Sequence, residues 1–214
     1  MIDIAGISMT WRRCPDRSSA EKLPMNLWLR LIWLLLTTRF RPRLDLPADA
    51  SVLPFRVWFH DLDTSLHMNN GRYWTLMDLG RLDLMLRSGL WRAVLRHRWL
   101  PVVNAGTIRF RREMRLFRPF RVETKILCWS ETWLVMQHRM LMQGRDSTEI
   151  VAAVALVRAA LYDKKARAYV PVARLLGEIG ITAESPEPSP EVAAFLASED
   201  AMRSAASAAG YKSA

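Results

Sequence analysis

Cysteine is nearly absent: the 214-residue chain has two, Cys14 in a polar amino-terminal segment and Cys128 inside an apolar strand pattern. Such a pair fits neither a metal-ligand spacing nor a disulfide framework, so no metal is implied and nothing demands an oxidising compartment. Also lacking is an apolar run long enough to span a bilayer. Residues 26–37 fall short of the about 20 residues a spanning helix needs, and Arg30 interrupts them. No small-x-small cleavage site follows at Thr37-Thr38-Arg39-Phe40-Arg41, so the run does not read as a signal peptide. Acidic side chains are scarce, 21 against 31 basic ones. Despite that excess the chain has no recognition helix, aromatic platform motif or finger spacing, and no nucleic-acid partner is expected.

What is present suits one globular domain with terminal extensions. Half of the residues are hydrophobic, enough to bury a full core. The formal charge of +10 and a pI near 10.4 favour anionic partners, among them acidic lipid headgroups and the phosphates of coenzyme A. One basic cluster lies in residues 1–43, where Arg12, Arg13, Arg17, Lys22, Arg30, Arg39, Arg41 and Arg43 face only Asp3, Asp16 and Glu21. A second runs Arg109, Arg111, Arg112, Arg115, Arg118 and Arg121 against Glu113. Composition shifts divide the chain into an extension over 1–49 with a short apolar helix, a domain over 50–180, and a Pro/Ala-rich tail over 181–214. The short helix has two readings. Either it is interfacial, with Trp28 and Trp33 at headgroup level and arginines toward anionic lipid, or it packs against the domain.

The chemistry concentrates in one stretch, His60-Asp61-Leu62-Asp63-Thr64-Ser65-Leu66-His67-Met68-Asn69-Asn70-Gly71-Arg72-Tyr73, which sets two carboxylates, an imidazole and two amides between a strand-like and a helix-like run. Before it, residues 53–59 read as a strand with Phe55, Val57 and Phe59 on one face. After it, Asn69 or Asn70 caps a helix whose buried stripe is Tyr73, Leu76, Met77, Gly80 and Leu84, ended by Gly89. Gly80 costs about 1 kcal/mol of helix propensity, and a close backbone approach to a sheet would account for it. A short helix over 90–98 follows. Strands are then predicted over 102–114, 122–129, 133–143 and 149–162, the last apolar on both faces and rich in alanine, as suits a mid-sheet position. A short helix over 171–180, a proline-rich linker over 182–190 and a weakly helical or disordered remainder complete the chain. A long helix followed by consecutive antiparallel strands must lie across their sheet to bury its stripe, an α+β arrangement.

These residues resemble the hot-dog thioesterase superfamily, in particular its 4-hydroxybenzoyl-CoA thioesterase-like group and, more closely, the branch called thioesterase superfamily member six. The likeness covers about residues 50–180, the span over which the strand and helix pattern holds. It is carried by Asp61-Leu62-Asp63, His67-Met68-Asn69-Asn70 and Tyr73, and supported by Arg112, Leu116-Phe117-Arg118-Pro119-Phe120 and the strand containing Trp129. It implies a hot-dog fold, a homodimer or higher homo-oligomer, and hydrolysis of an acyl-CoA or acyl-carrier thioester, fatty or aromatic, to acid and thiol. Coenzyme A would enter as part of the substrate, with no separate cofactor. Asp63 falls where the family has its catalytic carboxylate, acting as nucleophile or as base toward water, and His67 where it has an assisting or orienting histidine. The chain departs from plant acyl-carrier-protein thioesterases at Ser65, where those carry an asparagine.

Each residue also has a plainer reading. Asp63 could be a turn aspartate. Asp61 is expected to hydrogen-bond the loop and hold Asp63 in place. His67 is open between general acid, orienter and core histidine. Asn69 and Asn70 are expected to cap, Tyr73 to be core with its hydroxyl at the acyl pocket as the alternative, and Met136, Met140 and Met142 to pack the sheet. Arg109, Arg111, Glu113 and Arg115 are one solvated strand face, or its arginines are a site for coenzyme A phosphates. The expected protein is a cytoplasmic acyl-CoA thioesterase-like hydrolase, with peripheral membrane contact through 26–37 if the interfacial reading holds. The alternative is a non-catalytic hot-dog module that binds lipid or acyl-CoA at a membrane surface.

Overall fold

A computed structural model describes residues 27–144 and 146–209. Cys14, Arg12, Arg13, Arg17 and Lys22 lie outside the described residues. Helix α1 (Leu27–Thr38) precedes strand β1 (Ser51–Arg56), and a single 3-10 turn (Phe59–Asp61) leads through the acidic motif into helix α2 (Asn70–Ser88). Helix α3 (Leu90–His97), strands β2 (Trp99–Phe110), β3 (Pro119–Trp129), β4 (Leu134–Gln143), β5 (Glu149–Asp163) and β6 (Ala168–Tyr169), and helices α4 (Val172–Gly177) and α5 (Pro190–Ala208) follow. The main strands form one antiparallel sheet in the order β1-β3-β4-β5-β2, with β6 on β5. The sheet curls around α2, which is the hot-dog arrangement.

Cross-strand register explains why α2 sits where it does. One row across the inner face pairs Leu53 with Val122, Val122 with Met140, Met140 with Ala153 and Ala153 with Phe110. Against such apolar rows α2 buries Tyr73, Leu76 and Met77 in one core, to which Met140 and Met142 also belong, while Leu84, further along the helix, is buried in a second cluster with Ile126 and Met136. The next row pairs Ser51, Thr124, His138 and Ala155 in turn. Gly80 lies over it, where an added Cβ would stand 2.3 Å from the Thr124 hydroxyl oxygen. Thr124 cannot readily turn away, because that oxygen lies 2.9 Å from His138 Nδ1. The glycine is therefore required by helix–sheet contact, as its place in the stripe suggested.

His138 is fully buried, with Arg81 donating to Nε2 at 3.0 Å, and burial followed by the Arg81 charge drives its pKa down from 6.5 to about 3. The native state therefore excludes a proton that the unfolded chain accepts. The stability contributed by this group is fully present above pH 6.5 and is lost as pH falls from there toward 3, with a slope of up to about 1.4 kcal/mol per unit. Urea midpoints at pH 7 and pH 5 should differ in this direction, and His138→Asn should flatten the dependence. An unchanged slope in that variant would assign the acid sensitivity elsewhere.

The sheet's outer face is covered by the carboxyl-terminal helix. Val192 and Phe195 of α5 are buried with Leu127, Val135 and Leu156, and Arg158 stacks on Trp133 while pairing with Glu199. The alanine-rich remainder thus resolves as a packed helix over its first turns, while residues 200–208 run on exposed. This second covered face explains why β5 is apolar on both sides. At the opposite margin β2 leaves one edge unpaired among the described residues, and most of its side chains are exposed.

Several boundaries differ from the sequence pattern. Strand β1 stops at Arg56 because the buried Asp61 carboxylate accepts the Trp58 N–H at 3.0 Å and bends the chain, so Phe59 faces solvent against Phe117 instead of continuing a buried stripe. Strand β2 ends at Phe110, where Arg111 and Arg112 both donate their N–H to the Ala152 carbonyl and break the alternation. Arg109, Arg111 and Arg115 are all exposed, but they do not share one strand face.

Candidate active site

The motif loop is tied by its own backbone. The Asp63 N–H donates to the His67 carbonyl at 2.8 Å, the Leu66 N–H donates to the Asp63 carbonyl at 3.1 Å, and Leu62 bridges Met68. Leu66 takes a left-handed φ of 59° to close the turn. The Asp63 Oδ1 atom accepts from the backbone N–H of Ser65 at 2.9 Å and of His67 at 3.3 Å. Its Oδ2 accepts no hydrogen bond among the described residues, and the side chain is partly exposed. One carboxylate oxygen is held and the other is available. Ser65 contributes its backbone N–H and is exposed.

Asp61 does different work. It is fully buried and its carboxylate receives Arg30 Nη1 at 3.1 Å, Arg30 Nη2 at 2.6 Å, Arg72 Nε at 3.2 Å and the Trp58 N–H. Arg30 is itself buried and also reaches the Arg56 carbonyl. The first acid of the motif thus fastens α1, the β1 exit and α2 together, rather than reaching Asp63 with its side chain. His60 beside it has a lowered pKa, from burial first and from Arg30 and Arg72, against the opposing pull of Asp61.

The His67 imidazole reaches Glu113, with Nε2 2.9 Å from a carboxylate oxygen, and Glu113 is shared with Arg115 Nε at 2.9 Å. Backbone bonds hold this arrangement, since the Met68 N–H donates to the Met114 carbonyl and His67 bridges Arg115. Nothing in the local motif pointed to Glu113, although it is the lone acid of a basic run. Arg30 had a comparable signal, as the only charge in an apolar helix.

Asn69, not Asn70, is the cap: its side chain accepts the Gly71 N–H at 2.8 Å, which removes that group as a donor to a substrate oxygen. Asn70 opens the helix and is exposed. The Tyr73 ring is buried, edge-on to Phe110 with centroids 4.9 Å apart. Burial, then the negative charge of Asp63, pushes its hydroxyl up to about 12. Tyr73 therefore stays protonated at neutral pH, a donor near the free carboxylate. No cluster of side chains suited to a metal ion occurs among the described residues.

Comparison with known proteins bears on the family and the fold. The family model described as thioesterase-like superfamily matches residues 57–196. Protein THEM6 of Danio rerio is 35% identical over 136 residues, 62% of this chain and 65% of the relative, so the chain spans a little under two thirds of that relative's length. Among solved structures, the probable thioesterase YbaW of Escherichia coli superposes with a TM-score of 0.55 at 20% identity, covering 60% of this chain and 95% of that one. The 4-hydroxybenzoyl CoA thioesterase of Pseudomonas sp. strain CBS-3 superposes with a TM-score of 0.54 at 16% identity, covering 61% and 98%. At those identities the structures speak for the fold alone. A hot-dog sheet around α2, the acidic loop at its amino terminus and a family match over more than half of the sequence agree: the chain belongs to the thioesterase-like superfamily.

Proposed function

We propose that this protein hydrolyses an acyl thioester, fatty or aromatic, to free acid and thiol, with Asp63 as the reacting carboxylate. The observation that carries the reading is the state of that carboxylate: one oxygen fixed by two backbone N–H groups, the other without a hydrogen bond among the described residues, on a partly exposed residue at the foot of α2. In the water route Asp63 takes a proton from water, the hydroxide adds to the carbonyl, and the C–S bond breaks as the thiolate leaves. In the nucleophilic route Oδ2 itself adds, the C–S bond breaks and the thiolate leaves as a mixed anhydride forms, and water then hydrolyses that anhydride to the free acid and the Asp63 carboxylate. Tyr73, kept protonated, supplies a hydroxyl donor nearby. His67, oriented by Glu113, is suited to return a proton to the departing sulfur.

Exposed Arg109, Arg111, Arg112 and Arg115 suit the phosphates of a coenzyme A carrier, which guanidinium groups pair with well. Coenzyme A in this reading is substrate, not cofactor. The free edge of β2 suits antiparallel pairing with a second copy, since an unpaired strand edge of that length invites a partner. A homodimer joined there would continue the sheet across both protomers.

The test is a panel of acyl-CoA thioesters from short to long chains, with aromatic members, read by thiol release. Turnover of at least one class is the expected result, with chain length sorting kcat/KM. Saturable binding without release would favour the non-catalytic lipid- or acyl-CoA-binding module, a rival supported by the loss of an amide at Ser65 and by the outward face of α1. Neither binding nor release would overturn both.

A further inference from the structure

Helix α1 buries a single cation on an otherwise apolar inner face, where Leu27, Leu31, Trp33 and Leu34 meet the core. Its inward face carries buried Arg30 and Leu34, while Leu29, Ile32, Leu35, Leu36 and, just beyond its end, Phe40 point outward. Leu36 and Phe40 are 57% and 76% exposed. At 3.6 residues per turn these positions form one continuous stripe, with Trp28 at its start. Trp33, expected at headgroup level beside Trp28, is instead turned against the core. The two readings of this helix therefore apply to opposite faces of it. No helix among the described residues is long and apolar enough to cross a membrane, so the stripe is a surface and not a span.

We propose that the outer face of α1 is a docking surface for an anionic lipid bilayer, held in fixed orientation to the Asp63 loop by the Arg30–Asp61 pair. Charge decides the occupant. No acidic residue occurs between Leu27 and Leu44, and exposed Arg39 and Arg43 follow the stripe, with the Arg39 guanidinium 4.5 Å over the Phe40 ring. A second copy of α1 would bring no acid to these cations, and residues 1–26, with four basic and three acidic side chains, bring no net negative charge. Acidic headgroups satisfy both demands, with apolar side chains in the acyl boundary and arginines among phosphates. Because Arg30 and Arg72 both grip Asp61, two positions before Asp63, a bilayer on α1 lies at a set position relative to the candidate reaction loop.

Sedimentation of the full chain with phosphatidylcholine vesicles, with and without a quarter phosphatidylglycerol, tests this without any thioester, so its result is separate from hydrolysis. Binding is expected to be several-fold greater on anionic vesicles and to weaken with salt. The double variant Ile32→Glu/Leu36→Glu replaces exposed residues, so its circular dichroism should match wild type while its partitioning falls by at least about tenfold. Wild-type protein left in the supernatant with both vesicle types would overturn the proposal. So would a double variant that pellets like wild type, or one whose main change is a smaller oligomeric mass, which would give the face to a second copy.

Discussion

Asp63→Asn is expected to lower kcat for thiol release by about 10² to 10⁴, the range that a positioned base or nucleophile supplies, equivalent to about 3–5 kcal/mol of barrier. The fold should be untouched. An asparagine oxygen still accepts the Ser65 and His67 N–H groups that fix the turn, so the denaturation midpoint should stay near wild type. Acyl-CoA binding should also survive, because the exposed arginines that would meet the carrier are unchanged. Single-turnover thiol release separates these terms from product release. A variant within threefold of the wild-type rate would remove Asp63 from the reaction and leave it as a turn residue.

Substitution of Asp61 is expected to act on stability instead. Asp61→Ala leaves Arg30 buried and charged without its carboxylate, and deprives Arg72 and the Trp58 N–H of an acceptor. Removing one partner of a buried ion pair costs about 3–5 kcal/mol, a large share of a typical domain's total of about 5–15 kcal/mol. Urea denaturation should show the loss directly. The double variant Arg30→Met/Asp61→Ala removes the stranded charge along with the carboxylate, so it should be less destabilised than the sum of the two single changes. Strict additivity, or an Asp61→Ala midpoint close to wild type, would mean that the pair does not join α1 to the loop energetically. These outcomes would separate the two aspartates of one motif, the second acting on rate and the first on stability.

Much of the fold was legible because it rests on local periodicity. The α2 stripe Tyr73, Leu76, Met77, Gly80 and Leu84 needs only 3.6-residue spacing, and all five are buried. The mid-sheet place of β5 followed from apolar residues on both faces, although the helix on its outer side, α5, looked in sequence like a weak tail. Strand ends were less legible. Alternation carried β1 on through Val57 to Phe59, but a carboxylate two residues later captured the Trp58 N–H and turned the chain. At the site, the sequence located the loop and narrowed the cap to Asn69 or Asn70, of which Asn69 serves, but it left the role of His67 open and carried no sign that the imidazole reaches Glu113, 46 positions away.

The order of the main elements and the acidic loop at the start of α2 were determined by the sequence alone, since each depends on neighbours within a few residues, whereas Gly80 only hinted at a close sheet until its contact with Thr124 gave the reason. Only the tertiary structure decided which charges meet. Arg30 with Asp61 and His67 with Glu113 are contacts across distant stretches of chain, and either arginine-rich segment offered other partners. The physical reason is burial. A buried carboxylate must be matched by whichever cation the fold brings within reach, and that choice is made by packing of α1 and α2, not by spacing along the chain.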